Sequence, residues 1–191
     1  VAAEIARYSA EKARQDPLWL DLGCGVGGTI GYLMDRVPGA FVGVTISAIQ
    51  KSIAEHRFRR RTSLPGARVV QGDFCSPALF DQLRSMTEAA DGSPGVDGAY
   101  MIESFIHASD AEGLLSLLGR TLRSGGIVLI CDDFLTAAGL RRVIGSRPAY
   151  RAGRTQQRLM QEFRSGWHAN TLLTVEQTTE YAAAAGLMLE R

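Results

Sequence analysis

The sequence has little net charge, few lysines and no long apolar run. Its 21 basic residues balance 20 acidic ones to a formal net charge of +1, and Lys12 and Lys51 are the two lysines among its 191 residues. A charge so close to neutral provides no field that would attract nucleic acid or a membrane surface. Because no apolar stretch approaches about 20 residues, no segment is predicted to cross a bilayer.

Cysteines are also scarce, and their number and spacing indicate whether disulfides or a zinc site can form. Cys24, Cys75 and Cys131 are odd in number and widely spaced, so they predict neither a disulfide framework nor a zinc site. The first seven residues contain no long apolar segment, and we therefore predict no secretory signal. These absences predict a cytoplasmic protein with reduced thiols and no bound metal.

What is present is an alternation of short apolar stretches and helical patterns, with 46% hydrophobic residues overall. The predicted strands are 18–22, 40–45, 67–71, 96–102 and 127–131. The predicted helices are 2–15, 27–37, 48–61, 77–86, 110–123, 137–165 and 174–185. Such alternation predicts an α/β fold, doubly wound, with a mainly parallel sheet and helices on both faces. Residues 186–191 are typical of the start of another strand.

The segment Leu20–Gly28 reads Leu-Asp-Leu-Gly-Cys-Gly-Val-Gly-Gly, a pattern that predicts a buried strand, a glycine turn and a helix. A glycine turn lets a ligand come close to backbone N–H groups, because no Cβ blocks the approach. Asp21 places a carboxylate inside the apolar strand, and a buried charge is costly without a partner. A ligand with a positive group would supply that partner.

The glycines allow two other interpretations. Gly23, Gly25 and Gly28 also satisfy the dinucleotide fingerprint, which requires an acidic residue at the end of the second strand. Residues 40–50 contain no acid, which argues against a nicotinamide-dependent reductase. A glycine turn that only packs a helix on a sheet is the simplest alternative.

All five predicted strands are followed by polar or glycine residues, at the edge where open parallel sheets bind ligands. These residues are Gly23–Gly25, Thr45–Ser47, Asp73–Phe74, Glu103–His107 and Asp132–Phe134.

The strand and glycine turn around Asp21 resemble the first motif of class I S-adenosylmethionine-dependent methyltransferases. The resemblance implies a Rossmann-like methyltransferase fold and S-adenosylmethionine, which carries an amino group and a sulfonium, as cofactor. It implies one methyltransferase domain over 1–191, with a cofactor-binding core at 1–133 and an inserted substrate-cover segment at 134–170. That fold usually has two further strands after the position of residue 186. We expect either that the C-terminal end is missing from this sequence or that the chain is a minimal version of the fold.

The stretch Gly-Val-Thr-Ile-Ser with a following glutamine resembles cyclopropane fatty acid synthases and tocopherol-type C-methyltransferases, over roughly residues 18 to 135. In that subgroup the usual ribose-binding acid is replaced. The resemblance implies a cofactor site made of Asp21, Gly23, Cys24, Gly25, Thr45, Ser47, Gln50, Asp73 and Phe74. Asp73 would accept a hydrogen bond from the adenine amino group, with Phe74 beside the ring. The alternatives are that Ser47 only caps a helix and that Asp73 only forms a turn.

Glu103 is the leading catalytic candidate. The pair Glu103-Ser104 resembles a Glu-Ser pair at a similar strand exit of geranyl diphosphate and related prenyl C-methyltransferases, where the glutamate faces a cation and removes a proton. A carboxylate beside an apolar substrate can stabilise positive charge and act as a base. The alternatives are that Glu103 holds a cofactor hydroxyl or caps the next helix.

Three further groups of residues each allow two interpretations. His107 is either a general base for O- or N-methyl transfer or a packed histidine. Asp132 and Asp133 are either a site for a divalent ion or, as we prefer, a polar strand exit without metal. The arginines after the fifth strand either hold a diphosphate or form a solvated helix face; they are Arg141, Arg142, Arg147, Arg151, Arg154 and Arg158, with Phe134, Tyr150 and Trp167 nearby.

The sequence thus predicts methyl transfer from S-adenosylmethionine to a small molecule of secondary metabolism. The favoured acceptor is a carbon of an apolar substrate, of which a prenyl diphosphate is one example. The alternatives are an O- or N-methyltransferase of a small metabolite, a nicotinamide-dependent reductase, and a cofactor-binding module without catalysis. We expect no nucleic-acid or membrane partner, and a homo-oligomer is compatible with the sequence.

Overall fold

The computed structural model describes residues 1–12, 16–60, 66–87, 95–136, 138–139 and 151–190. The strands are β1 (Leu18–Leu22), β2 (Ala40–Thr45), β3 (Ala67–Gln71), β4 (Val96–Ile102) and β5 (Leu122–Cys131). The helices are α1 (Ala2–Lys12), α2 (Gly28–Leu33), α3 (Ala48–Arg59), α4 (Pro77–Thr87), α5 (Ala111–Thr121), α6 (Arg151–Trp167) and α7 (Val175–Ala184), and a 3₁₀ turn covers Phe105–His107.

The strands form one parallel sheet in the order β3-β2-β1-β4-β5. In this register Leu20 of β1 lies between Val42 of β2 and Ala99 of β4. After β3 the chain crosses to the other side of β1, so the carboxyl ends of β1 and β4 flank the topological switch point. Ligands of open α/β sheets bind at that place.

Alternate side chains of each strand enter two separate cores, which confirms the doubly wound fold. Trp19 and Tyr100 are fully buried in the first core, which includes side chains from α1, α2 and α3. Leu20 and Leu22 lie in the second core, which includes side chains from α4 and α5 and is flanked by α7. The sheet is therefore covered on both faces and leaves its carboxyl edge for a ligand.

Side-chain caps fix where two of the helices begin. Thr174 and Gln177 form the predicted capping box of α7, in which Thr174 Oγ1 accepts from Gln177 N at 3.2 Å and Gln177 Oε1 accepts from Thr174 N at 3.0 Å. Asp110 Oδ1 accepts from Gly113 N at 2.8 Å and starts α5. Asp110, and not Glu103, is therefore the cap of the helix that follows β4.

Two predicted element boundaries were wrong. The helix predicted over 27–37 spans only Gly28–Leu33, and turns follow it, in which the Arg36 N–H bonds to Leu33 O at 2.8 Å in an i→i−3 pattern. The fifth strand starts at Leu122, which pairs with Val96, and a bulge lies before Gly98. The Ser-Gly-Gly stretch predicted to follow a helix thus lies inside this irregular strand.

The strand predicted to start at 186–191 was also wrong over the described residues. Gly186 has a left-handed backbone (φ 79°), and the Leu187 N–H bonds to Ala182 O at 2.9 Å. This arrangement is a Schellman motif, which uses the Leu187 N–H to end α7 instead of pairing it in the sheet. Met188 beyond it is 94% exposed.

Some predictions fall outside the described residues. They include the first part of the helix predicted over 137–165, together with Arg141, Arg142, Arg147 and Tyr150. Within the described ranges, no helix combines the length and apolarity needed to cross a membrane.

Candidate active site

The glycine turn after β1 is held from the side of β2. Gly23 (φ 95°) and Gly25 (φ 51°) adopt backbone conformations that favour glycine. The N–H groups of Gly23 and Cys24 both donate to Val44 O at 2.9 Å. These two N–H groups therefore bond to the adjacent strand of the sheet.

Gly25 and Cys24 differ in what surrounds them. A Cβ built on Gly25 would have no heavy atom of the other described residues within 4 Å, apart from its chain neighbours, so the backbone of the turn is open to a ligand at that residue. The Cys24 side chain is buried, and its Sγ lies where a Cβ on Gly43 would approach to 2.7 Å. The thiol is thus part of the core. Any contact between Cys24 and a cofactor would therefore be made by its backbone atoms.

Asp21 is a buried carboxylate beside Tyr100 on the neighbouring strand. Asp21 is 3% exposed and pairs in register with Tyr100 of β4. Burial raises the pKa of the Asp21 carboxyl to about 7, and the Tyr100 hydroxyl opposes this with a smaller lowering effect. Among the described residues, Asp21 Oδ2 and the Tyr100 hydroxyl lack a partner in good hydrogen-bond geometry. A cationic ligand group would favour the ionised form of such a carboxyl.

The exit of β2 is organised by hydrogen bonds among three predicted cofactor residues. Thr45 Oγ1 donates to Gln50 Oε1 at 2.7 Å and accepts from Ser47 N at 3.3 Å. Ser47 Oγ accepts from Gln50 N at 3.2 Å, so Ser47 does cap α3. The structure brings these three residues together in one loop, with Thr45 buried and Gln50 exposed.

Asp73 and Phe74 follow β3 with opposite environments. Asp73 is exposed, and its Oδ1 accepts from Cys75 N at 2.8 Å, as in an Asx turn. The Phe74 ring is buried, and its Cε1 lies 3.8 Å from the position of a Cβ on Gly23. Phe74 thus joins the exit of β3 to the glycine turn.

Glu103 follows β4 in a strained backbone conformation. Its φ of 51° is unusual for a residue other than glycine, and its N–H donates to Cys131 O at 2.9 Å. Its side chain is exposed. Residues held in sparsely populated conformations cluster at functional sites, because the surrounding structure must offset their cost.

His107 ends the 3₁₀ turn, and a backbone carbonyl orients its ring. His107 Nδ1 lies 3.2 Å from His168 O, and Asn170 Nδ2 donates to His107 O at 2.9 Å. Since a carbonyl only accepts, Nδ1 must carry the proton, and the neutral ring then has Nε2 as its acceptor. An exposed imidazole in this tautomer has the form of a general base.

Asp132 uses its carboxylate to hold backbone. Its Oδ2 accepts from Ile106 N at 3.0 Å, and its Oδ1 accepts from Asp133 N at 2.8 Å. Within the part of the chain that the structure describes, no group of three or more His, Cys, Asp or Glu side chains could hold a metal ion.

The comparisons with known proteins decide the family. The chain matches the methyltransferase domain family over residues 1–189. It belongs to that family. It is similar to an O-methyltransferase of Penicillium expansum, with 29% identity over 113 residues that make up 59% of this chain and 37% of the relative. It is similar to a sterol 24-C-methyltransferase of Gibberella zeae, with 28% identity over 117 residues, or 61% of this chain and 28% of the relative.

A solved structure agrees with this family in fold. Geranyl diphosphate C-methyltransferase from Streptomyces coelicolor A3(2), in complex with Mg²⁺, geranyl diphosphate and S-adenosyl-L-homocysteine, matches with a TM-score of 0.63 at 18% identity. The match covers 96% of this chain and 58% of that one. This methyltransferase domain therefore spans less than two thirds of the length of these three proteins.

The domain also presents an exposed apolar stripe on α6. Leu159 is 59% exposed, Phe163 36% and Trp167 68%, and the last two rings lie 6.5 Å apart. On the same helix Arg158 Nε donates to Glu162 Oε1 at 2.7 Å, so this arginine belongs to a solvated face. The side chains of Arg151 and Arg154 lie outside the described residues.

Two grooves among the described residues of the methyltransferase domain lie away from the switch point. One, of about 610 Å³, lies against α3, β3 and α4, and the other, of about 440 Å³, lies against α2 and α3. Neither is lined by Glu103, Ser104 or His107.

Sequence reasoning missed three side chains of this region. Tyr100 faces Asp21, Ser104 packs on the glycine turn, and Arg57 Nη1 donates to Val26 O of that turn at 3.3 Å. Tyr100 was detectable only with the knowledge that β4 pairs with β1. Ser104 was noted as the partner of Glu103 but not as a site residue.

Proposed function

We propose that this chain is the catalytic domain of a methyltransferase that uses S-adenosylmethionine and methylates a carbon of an apolar small molecule. The family and the fold support methyl transfer. The site fits this cofactor in two respects: Asp21 is a buried carboxylate with an unsatisfied oxygen, and the backbone at Gly25 faces open space. S-adenosylmethionine supplies a methyl group on a positively charged sulfur, next to a positively charged amino group.

Residues from three strand exits would hold this cofactor. The carboxylate of Asp21 would offset the amino group, which compensates for its burial. The loop of Thr45, Ser47 and Gln50 would face the ribose and methionine parts. Asp73 would accept from the adenine amino group. Phe74 and the turn at Gly23–Gly25 would contact the adenine and methionine parts through apolar and backbone atoms. These roles rest on the resemblance and on the shared edge of the sheet.

The conformation of Glu103 is the observation that carries the choice of acceptor. The strained backbone places this exposed residue at the exit of β4, next to the glycine turn at the switch point. An alkene carbon that takes a methyl group becomes a cation and must lose a proton. A carboxylate at this place would stabilise that charge and accept the proton.

An apolar acceptor also agrees with the surroundings and with the relatives. The exposed stripe of Leu159, Phe163 and Trp167 ends beside His168, whose carbonyl contacts the His107 ring. It would contact the apolar part of an acceptor. Relatives named for sterol, botryococcene and geranyl diphosphate C-methylation act on such molecules.

The second candidate function is methyl transfer to a hydroxyl or amine. It is supported by the His107 tautomer, because the bond between Nδ1 and His168 O leaves Nε2 to accept a proton. Relatives named O-methyltransferases agree with this alternative.

Cellular context is part of the proposal. We place the reaction in secondary metabolism in the cytoplasm. The free thiols of Cys24, Cys75 and Cys131 support a reducing compartment.

The test compares Glu103→Gln with His107→Ala. Labelled S-adenosylmethionine is first offered with prenyl diphosphates, sterols, phenols and amines, and the methylated atom of the product is located by NMR. For a carbon acceptor, Glu103→Gln should lower kcat by roughly a hundredfold, the effect of a lost general base, with S-adenosylhomocysteine affinity unchanged. The exposed Glu112 of α5 provides the matched control, Glu112→Gln. Near-normal turnover in Glu103→Gln, with a large loss in His107→Ala, would favour the hydroxyl or amine acceptor.

A further inference from the structure

Ser104 lies between the glycine turn and the residues on the acceptor side. It follows Glu103 and is 4% exposed. Its Oγ donates to Leu22 O at 2.5 Å, and Leu22 is the last residue of β1, directly before Gly23. The Ser104 hydroxyl therefore bonds to the strand that leads into the glycine turn.

Packing makes Ser104 one wall of the turn. A Cβ on Gly23 would lie 2.4 Å from Ser104 Cβ and 2.8 Å from Ser104 Oγ, far inside van der Waals contact. On the other side, Val44 O holds the N–H groups of Gly23 and Cys24. The start of the turn is therefore fixed between β2 and Ser104.

The same residue starts the segment that carries both catalytic candidates. The carbonyl of Ser104 accepts from His107 N at 3.1 Å and so closes the 3₁₀ turn. Glu103 directly precedes it in a left-handed conformation. A displacement of Ser104 would move Glu103 and His107 relative to the glycine turn.

We propose that Ser104 is a positioning residue that couples the glycine turn to residues 103–108, so that a filled cofactor site orders Glu103 and His107. This proposal rests on the proposed function. Ser104 need not touch the reacting atoms, since its side chain is buried and bonded to Leu22 O. Coupling of this kind matters because methyl transfer depends on alignment, and a misplacement of about 1 Å can cost roughly a hundredfold in rate.

The experiment needs no acceptor. Hydrogen exchange of backbone amides is measured with and without saturating S-adenosylhomocysteine, and its affinity is measured by calorimetry. The amides of Glu103, Ile106 and His107 are bonded, so changes in their protection are measurable. In the unmodified chain the ligand should slow exchange at residues 23–27 and at 103–108, by at least about fivefold in each.

The decisive variant is Ser104→Ala, and Ser109→Ala is its matched control because Ser109 is exposed on the same connection. With the site saturated, Ser104→Ala should keep the slowing at 23–27 and lose it at 103–108, whereas the control should keep both. Ser104→Cys, with a weaker donor, should show an intermediate effect and serves if the alanine variant does not fold.

The outcomes separate the two proposals. If the unmodified chain binds no S-adenosylhomocysteine, the proposed function fails. If it binds the ligand but is protected only at 23–27, or if both Ser104 variants keep full protection at 103–108, the coupling role is overturned. A purely structural role would lower the thermal midpoint and leave the protection pattern of the folded protein unchanged.

Discussion

The exits of β1 and β4 lie side by side in the sheet, yet they are built from different kinds of contact. The exit of β1 uses glycines at left-handed positions and hydrogen bonds to the adjacent β2. The exit of β4 places Glu103 in a similar backbone region and likewise bonds to its adjacent strand, through Cys131 O, but it also bonds to the segment after α6, through Asn170 Nδ2 and Thr171 N. The glycines of the first exit are thus a local sequence pattern, whereas the second exit depends on a segment that is distant in the sequence.

This difference suits the two tasks that we propose. A donor site that must hold one cofactor benefits from a turn with little freedom. An acceptor site is free to vary with the segment that covers it, and we propose that in this chain the covering segment includes α6 and the connection to α7. The bonds from Thr171 N to Ile106 O and from Asn170 Nδ2 to His107 O tie the connection to the exit of β4.

The largest expected effect on cofactor binding separates two glycines of the β1 exit. Gly23→Ala adds a Cβ at a φ of 95° and 2.4 Å from Ser104 Cβ. We expect it to lower the free energy of unfolding by about 3 kcal/mol. It should weaken S-adenosylhomocysteine binding by about a hundredfold or more, which corresponds to about 2.8 kcal/mol. Urea denaturation and calorimetry give the two values.

Gly25→Ala is the matched control for that change. Gly25 also has a positive φ, but nothing lies within 4 Å of the added Cβ. Its stability cost should therefore be only about 1 kcal/mol, the backbone cost of a left-handed residue. Equal losses of stability in the two variants would contradict the claim that Ser104 is a wall of the turn.

Local encoding explains which features were predictable from the sequence. β1 to β4 were predicted within one residue, because each is a short apolar run bounded by turns. The capping box of α7 was equally visible, since Thr174 and Gln177 are three residues apart. The start of β5 was missed because its bulge arises from pairing with β4, which no local pattern reveals.

The same division holds within the candidate site. The glycine turn, Thr45, Ser47 and Gln50 are close in sequence, and the structure brings them together at neighbouring exits. The bond between the His107 ring and His168 O joins parts of the chain that no spacing rule connects. The strain at Glu103 was not predictable either, because a left-handed glutamate has no sequence pattern of its own.

The second prediction concerns Asp21, on the donor side. Burial raises the pKa of its carboxyl from the ordinary value of 3.8 to about 7. Between about pH 4 and pH 7 the folded chain therefore binds more protons than the unfolded chain, so the free energy of unfolding falls as the pH rises, and this fall ends above about pH 7. Asp21→Asn cannot ionise and should be more stable than the unmodified chain at pH 8, by up to about 4 kcal/mol.

The same change should weaken cofactor binding. Without the carboxylate, the amino group of the ligand loses a charged partner, so the affinity for S-adenosylhomocysteine should fall by about tenfold or more. Denaturation over a pH series and calorimetry at pH 8 measure the opposed effects. A variant that binds as tightly as the unmodified chain would remove Asp21 from the cofactor site.

The smallest expected effect concerns Asp73, at the exit of β3 on the donor side. Asp73→Ala should weaken S-adenosylhomocysteine binding by about threefold to tenfold, the net value of one ordinary hydrogen bond. It should raise the cofactor KM more than it lowers kcat, because adenine contacts are the same in the ground and transition states.

Asp73→Asn is the informative companion variant. Its amide oxygen can still accept from Cys75 N and keep the turn, whereas its NH₂ group cannot accept from adenine. Equal losses in both variants would assign Asp73 to the ligand. Normal binding in Asp73→Asn would assign it to the turn alone, and the donor side would then hold its cofactor mainly through β1 and β2.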